Sequence, residues 1–353
     1  MKILHCADLH LGSRLTSLPT GEIRDTRKNE ILKTFNNLID YARKNDINKV
    51  MFSGDVFDSD RPSKRDKTFF YDAIRANKDI IFFYLRGNHD KEESLITELD
   101  NLKTFSEDWT SYRFDDLVIS GIELSHNNNS SLYSTLSLNK NDINLVMLHG
   151  DVINKGKEFI NLKKLSNKNI DYLALGHIHK YEEFTIDKRG IAIYPGCLDG
   201  RGFDELGEKG FVVIDIEDKT INYSFVPFSS RIIEEIEIDL SSLNNLYEAK
   251  EKIKSEINSI NRSSIVKIKL VGKVNFDINN IERDICSFFK DNFFFLKVYS
   301  ELKQIVSVEE YINDFSLKGE FVRNIISNSE LKEEEKEELL NIGLRLLNGE
   351  VIE

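Results

Sequence analysis

Five short pieces of the chain combine oxygen or imidazole donors with small residues: Asp8-Leu9-His10, Gly54-Asp55, Gly87-Asn88-His89-Asp90, His149-Gly150 and Gly176-His177-Ile178-His179. Each falls where an apolar, β-rich run gives way to a loop, the edge at which α/β sheets build their sites. Five of the seven histidines lie in these pieces, and the other two, His5 and His126, read as ordinary core or surface groups. Taken singly the pieces say little: a Gly-Asp pair is usually a turn, and a lone His is usually a satisfied side chain. All five in order, each at a strand end, point to a metal centre built from several loops.

The elements that must position them alternate along the first 228 residues. Strand-like runs are expected at 2–6, 49–52, 80–85, 117–120, 144–148 and 172–175. Between the first two, Ile31, Phe35, Leu38, Ile39 and Ala42 recur at helical spacing within 26–44, and 63–76 reads as a second helix. Runs at 191–194, 210–216 and 220–226 are strands with no helix between them. Strand–helix alternation followed by strands alone predicts an α/β fold, a two-sheet sandwich flanked by helices. Beyond Pro227-Phe228-Ser229-Ser230 the pattern strand, helix, strand, helix, strand predicts a small α+β domain over 229–303. The stretch 304–353 is expected to be a charged helical tail.

Composition sets the class. With 353 residues, 40% hydrophobic and 31% charged, the chain reads as a globular protein with room for two domains and an appendage. No apolar run approaches the roughly 20 residues of a membrane span, so no membrane partner is expected. Met1 leads straight into a strand with no signal-peptide pattern, and Cys6, Cys197 and Cys286 fit no zinc or redox spacing. A cytoplasmic location follows as an expectation, beside the nucleoid if the source is bacterial. The net charge of −12 at first argues against a polyanionic partner, but 329–353 alone contribute net −5 while 11–80 carry net +3. Four of those cations lie in the loop 61–67, where Arg61, Lys64 and Arg65 are candidate DNA-phosphate contacts; the alternative is a solvated helix start.

The five pieces match the calcineurin-like metallophosphoesterase superfamily. Within it, Ile3-Leu4-His5-Cys6-Ala7-Asp8-Leu9-His10-Leu11-Gly12, Gly54-Asp55-Val56-Phe57-Asp58 and Leu175-Gly176-His177-Ile178-His179-Lys180 resemble the SbcD-type DNA double-strand-break repair exonucleases. The resemblance covers roughly residues 1–228 and implies two divalent cations. One would take Asp8, His10, Asp55 and His179, and the other Asp55, Asn88, His149 and His177. A single bridging carboxylate suits a pair about 4 Å apart with a water activated between them. The thiolate-free N/O set suits Mn²⁺ best, with Fe²⁺ or Zn²⁺ as alternatives. By the same resemblance His89 would bind no metal and would face the scissile phosphate, protonating the leaving oxygen or stabilising the developing charge. Asp90 would either orient His89 or cap the turn, and Arg86 is expected to be an exposed loop arginine. Two places depart from the family pattern. Asp58 stands where archaeal and eukaryotic relatives carry His, and 194–203 is longer and richer in glycine, with Arg201 either reaching the site or capping a surface loop.

Phosphomonoesterases and small-molecule phosphodiesterases use the same dimetal site, and some relatives are scaffolds. The first strand, the basic loop and the cap with its tail favour a DNA nuclease. Leu339, Leu340, Leu344, Leu346 and Leu347 lie beyond a full α/β domain and cap with no evident core to receive them. That imbalance predicts docking on another chain, and the resemblance supplies the coiled coil of an SbcC-type ATPase; a homodimer is compatible with the same reading.

Overall fold

The computed structural model describes residues 1–59, 61–90, 97–125, 128, 131–156, 158–305, 311 and 313–347; His126 lies outside them. The chain divides into two units, Met1–Ile233 and Glu234–Glu353. In chain order the strands of the first are β1 (Lys2–Cys6), β2 (Lys49–Ser53), β3 (Ile81–Leu85), β4 (Leu102–Thr104), β5 (Thr110–Phe114), β6 (Leu117–Gly121), β7 (Ile143–His149), β8 (Tyr172–Gly176), β9 (Glu182–Thr185), β10 (Ile191–Tyr194), β11 (Gly210–Glu217) and β12 (Thr220–Pro227). They form two mixed six-stranded sheets, β12-β11-β1-β2-β3-β4 and β5-β6-β7-β8-β10-β9. Among the site-bearing strands, β1, β2 and β3 are parallel neighbours in one sheet, and β7 and β8 in the other.

Alternation along these strands explains the layers. In β2, Met51 faces inward, into a core shared by both sheets with Ile3, Phe83, Leu145, Ala174 and Val212. Its neighbour Phe52 faces outward and meets Phe35 of α1 (Glu22–Lys44) and Phe70 of α2 (Lys64–Ala76), with ring centroids 6.0 and 5.7 Å away. Both faces are covered, so the strands read as unbroken apolar runs and not as alternating ones. Each large side chain sealed this way contributes roughly 1.5–3 kcal/mol, and β2, β7 and β8 are buried along their whole length. His5 belongs to this interior, its Nδ1 2.9 Å from the Tyr172 hydroxyl.

The second unit holds a three-stranded sheet of β13 (Ile233–Asp239), β14 (Ile265–Val271) and β16 (Phe295–Ser300), with β15 (Lys273–Val274) pairing β17 (Lys303–Gln304). Two helices, 246–256 and 281–289, supply apolar faces to its core. After them come helices Leu317–Ser327 and Glu333–Leu347. The expectation that the tail leucines lack a core is corrected in part. Leu340 and Leu344 are buried with Val322 against Tyr311, Phe321 and Ile325, whereas Leu339 and Leu346 remain exposed. Gly343 makes the hairpin possible, since a Cβ there would stand 2.1 Å from the Phe321 ring.

Candidate metal centre

The loops leaving β1, β2, β3 and β8, with the last residue of β7, meet at the carboxyl ends of the two sheets. The first two loops run together: Asp8 N and His10 N donate to Gly54 O and Asp55 O, each at 3.0 Å. The backbone is bent into the left-handed region at Asp8 (φ 52°), His10 (φ 44°), Asp55 (φ 52°) and His177 (φ 108°). For residues other than glycine such conformations cost on the order of 1–3 kcal/mol each, and they persist where the surroundings over-determine them. Two glycines set the spacing. A Cβ on Gly54 (φ 95°) would lie 2.0 Å from His149 Nδ1, and one on Gly176 would lie 1.9 Å from Ser53 O.

All seven expected ligand groups come together in two clusters. In the first, His10 Nε2 and His179 Nε2 lie 3.1 Å apart, and Asp8 Oδ1 is 3.8 Å from His179 Nε2. In the second, Asn88 Oδ1 is 3.0 Å from His149 Nε2 and 3.1 Å from His177 Nδ1. Asp55 Oδ2 lies between them, 3.8 Å from His10 Nε2 and 3.4 Å from His149 Nε2. Donor atoms of Asp8, His10 and His179, and of Asp8, Asp55 and His149, fall within 4.8 Å of one another.

The donor set fits divalent cations. Asp8, His10, Asp55 and His149 are buried, and carboxylates removed from water call for positive charge beside them. The field at His149 says the same. Burial disfavours its charged form, yet Asp55 and Asp8 outweigh burial and hold the imidazole above its ordinary value. At His10 and His177 burial wins and keeps the rings toward the neutral, ligating form. The far nitrogens are engaged too, which turns the near ones inward. His149 Nδ1 donates to Ser53 O at 2.9 Å, and His179 Nδ1 is 2.8 Å from Glu205 Oε1. His10 Nδ1 lies 3.1 Å from Asp58 Oδ1, short of an aligned hydrogen bond.

His89 stands apart from both clusters. Its ring is exposed, edge-on to that of His10 with centroids 5.1 Å apart, and its backbone N donates to Asp55 Oδ1 at 2.9 Å. Two expectations are corrected. Asp90 is not the orienting partner of His89 but the turn cap. Its buried carboxylate accepts from Val56 N (2.8 Å), Gly87 N (2.6 Å) and the Tyr84 hydroxyl (2.7 Å), locking the Asp55 loop to its own. Burial, reinforced by the Asp55 charge, raises that carboxyl to about 6. Arg86 is not exposed; its guanidinium grips Glu123, with Nε 2.9 Å from Oε1.

The basic loop is a helix start. Ser63 Oγ accepts from Asp66 N at 3.1 Å and caps α2, while Arg61, Lys64 and Arg65 point to solvent. A cleft lined by Lys28, Asn29, Ser63 and Arg65 opens beside His10. Sequence reasoning missed Glu205, which no motif marks, and gave no role to Asp58. The sequence marks Asp58 only as a departure from the family pattern, and Glu205 follows the glycine-rich 194–203 segment, from which Arg201 also reaches His179.

A sequence model of the family described as Calcineurin-like phosphoesterase matches residues 1–181. The chain is 26% identical over 300 residues to the DNA double-strand break repair protein Mre11 of Sulfolobus acidocaldarius, covering 78% of this chain and 76% of that one. With the protein of the same name from Sulfurisphaera tokodaii it shares 28% identity over 301 residues, covering 77% and 74%. The uncharacterized metallophosphoesterase YhaO of Bacillus subtilis is 24% identical over 268 residues, covering 70% and 65%. The family match spans the loops that carry all seven ligand groups, and on it the chain belongs to the calcineurin-like phosphoesterases, metal-dependent hydrolases that work with a pair of divalent cations.

Proposed function

We propose that this chain is a nuclease that hydrolyses phosphodiester bonds of DNA during break repair. The observation that carries the reading is the pair of ligand clusters sharing Asp55 Oδ2, taken with relatives named as DNA double-strand break repair proteins over more than three quarters of the chain. Asp8, His10, Asp55 and His179 hold one cation, and Asp55, Asn88, His149 and His177 the other. Mn²⁺ is the ion of choice for this N/O set, ahead of Fe²⁺ and Zn²⁺. When bound, the pair supplies Lewis acidity toward the phosphate and a water-derived nucleophile. The chain's own residues do the rest. The convergent imidazoles and carboxylates fix the reacting centre, the Asp90 cap keeps the Asp55 loop in place, and His89 faces the phosphate from outside both clusters to protonate the leaving oxygen.

The deciding experiment is a Mn²⁺-dependent assay comparing duplex DNA, bis-p-nitrophenyl phosphate and a phosphomonoester. Cleavage of both diesters with little monoester turnover is expected; turnover of the monoester alone would make the chain a phosphatase. Arg61, Lys64 and Arg65 are assigned to DNA phosphates flanking the site. Changing all three to Ala should weaken DNA binding and flatten its salt dependence, by about one unit of log–log slope per lost contact. Small-diester hydrolysis should survive, and an unchanged slope would reduce the segment to a solvated helix start.

The tail is assigned to a partner, the coiled coil of an SbcC-type ATPase. Exposed Phe315, Leu317, Leu339 and Leu346 support this. A homodimer belongs to the same proposal. Among the described residues no helix is long and apolar enough to cross a membrane. Deleting 315–353 should leave a folded, Mn²⁺-dependent enzyme that no longer co-purifies with the ATPase; unchanged co-purification removes the tail from the docking surface.

A further inference from the structure

The segment that departs from the family pattern wraps one ligand, His179. Cys197 Sγ lies 3.7 Å from His179 O, the buried Lys209 donates Nζ to the same oxygen at 2.8 Å, and Glu205 Oε1 stands 2.8 Å from Nδ1. The segment is itself anchored on α1. The buried Asp199 carboxylate accepts from Arg27, from Thr34 Oγ1 at 2.8 Å and from Ser230 Oγ at 2.7 Å, while Arg27 also donates to Gly200 O at 2.7 Å.

Arg201 joins this support to the other histidine of the same cluster. Its Nη1 donates to Asp58 Oδ1 at 2.7 Å, and its Nη2 and Nε donate to Glu205 Oε1 at 2.6 and 3.0 Å. Those two carboxylates are the groups beside His10 Nδ1 and His179 Nδ1. One planar guanidinium thus fixes the separation of two acceptors, and through them two rings whose Nε2 atoms converge. Among the described residues no arginine ties the Asn88–His149–His177 cluster in this way, and His149 is turned inward by a backbone carbonyl, Ser53 O. Each of the three guanidinium nitrogens donates to a carboxylate, and Nη2 also lies 3.2 Å from His179 Nδ1, the arrangement of a brace.

We propose that Arg201 is the positioning residue of the first cation subsite. By tying Asp58 to Glu205 it holds His10 and His179 as one preformed pair, and it leaves the second subsite unaffected. The proposal rests on the two-cation reading, and its test reads metal binding, not turnover. Mn²⁺ is titrated into the chelator-treated full chain by calorimetry and electron paramagnetic resonance. If the parent binds no Mn²⁺ pair, the two-cation reading fails. Given a pair, Asn88→Ala leaves the first subsite to be read and His10→Ala leaves the second.

In the Asn88→Ala background, Arg201→Ala should weaken Mn²⁺ binding by roughly 10–100-fold, the usual scale for losing a group that orients a ligand. Arg201→Lys, which keeps the charge without the fork, should recover part of that loss. In the His10→Ala background, the same Arg201→Ala change should alter affinity less than about threefold. Equal weakening in both backgrounds, or none in the first, overturns the proposal. Circular dichroism of the metal-free variants reports folding. Should Arg201→Ala fail to fold, Asp58→Ala probes the same tie without touching the 197–209 segment, and must weaken the first subsite selectively for the proposal to stand.

Discussion

Asp55→Ala is expected to abolish hydrolysis of every phosphoester the chain accepts. The reason is geometric: Asp55 Oδ2 faces both clusters, at 3.8 Å from His10 Nε2 and 3.4 Å from His149 Nε2. Its loss takes a donor from each subsite and a negative charge from a buried centre. Cations at a phosphoryl transition state are worth several kcal/mol, so a loss of roughly 10³-fold or more follows. Mn²⁺ stoichiometry should drop below two in the same preparation. Circular dichroism of the metal-free variant distinguishes this outcome from unfolding. Activity within about tenfold of the parent would sink the bridging role.

Much of this candidate site was legible because its expected ligands announce themselves by type. Asp8, His10, Asp55, Asn88, His149, His177 and His179 follow strands buried on both faces, and such strands are unbroken apolar runs in sequence. The runs at 2–6, 49–52 and 172–175 correspond to β1, β2 and β8. Less legible were the short or one-sided strands. β4 has three residues, and β5, Thr110–Phe114, is an edge strand rich in polar residues and buried only in part. A pattern that depends on one covered face is hard to tell from a loop.

The groups behind the ligands were illegible for a different reason. Asp58 and Glu205 have ordinary surface types, and the sequence leaves Arg201 between the site and a surface loop; the path of the 197–209 segment across the site gives them work. The sequence leaves Asp90 between two roles because adjacency suggests a bond to His89 as readily as a turn cap; the turn sends its carboxylate inward to three backbone amides and Tyr84. The same holds for the tail. Leu340 and Leu344 have a home only because Phe321 and Val322 of the preceding helix fold against them, and that pairing is set by the turn between the helices.

His89→Asn should separate binding from chemistry. The His89 ring is exposed, edge-on to that of His10, and belongs to neither cluster, and its backbone N donates to Asp55 Oδ1 at 2.9 Å. Asn keeps that amide, so Mn²⁺ affinity and stoichiometry should stay at the parent values. Turnover of DNA should fall by roughly 10²–10⁴, the scale of a lost general acid. The leaving group gives the sharper test. A deoxyribose oxygen is a strong base and must be protonated as its bond to phosphorus breaks, whereas p-nitrophenolate departs as a stable anion. With bis-p-nitrophenyl phosphate the loss should therefore be far smaller than with DNA. Equal losses on the two substrates would assign His89 to stabilising charge on the phosphate, and a fall in Mn²⁺ content alongside the rate would make it a ligand.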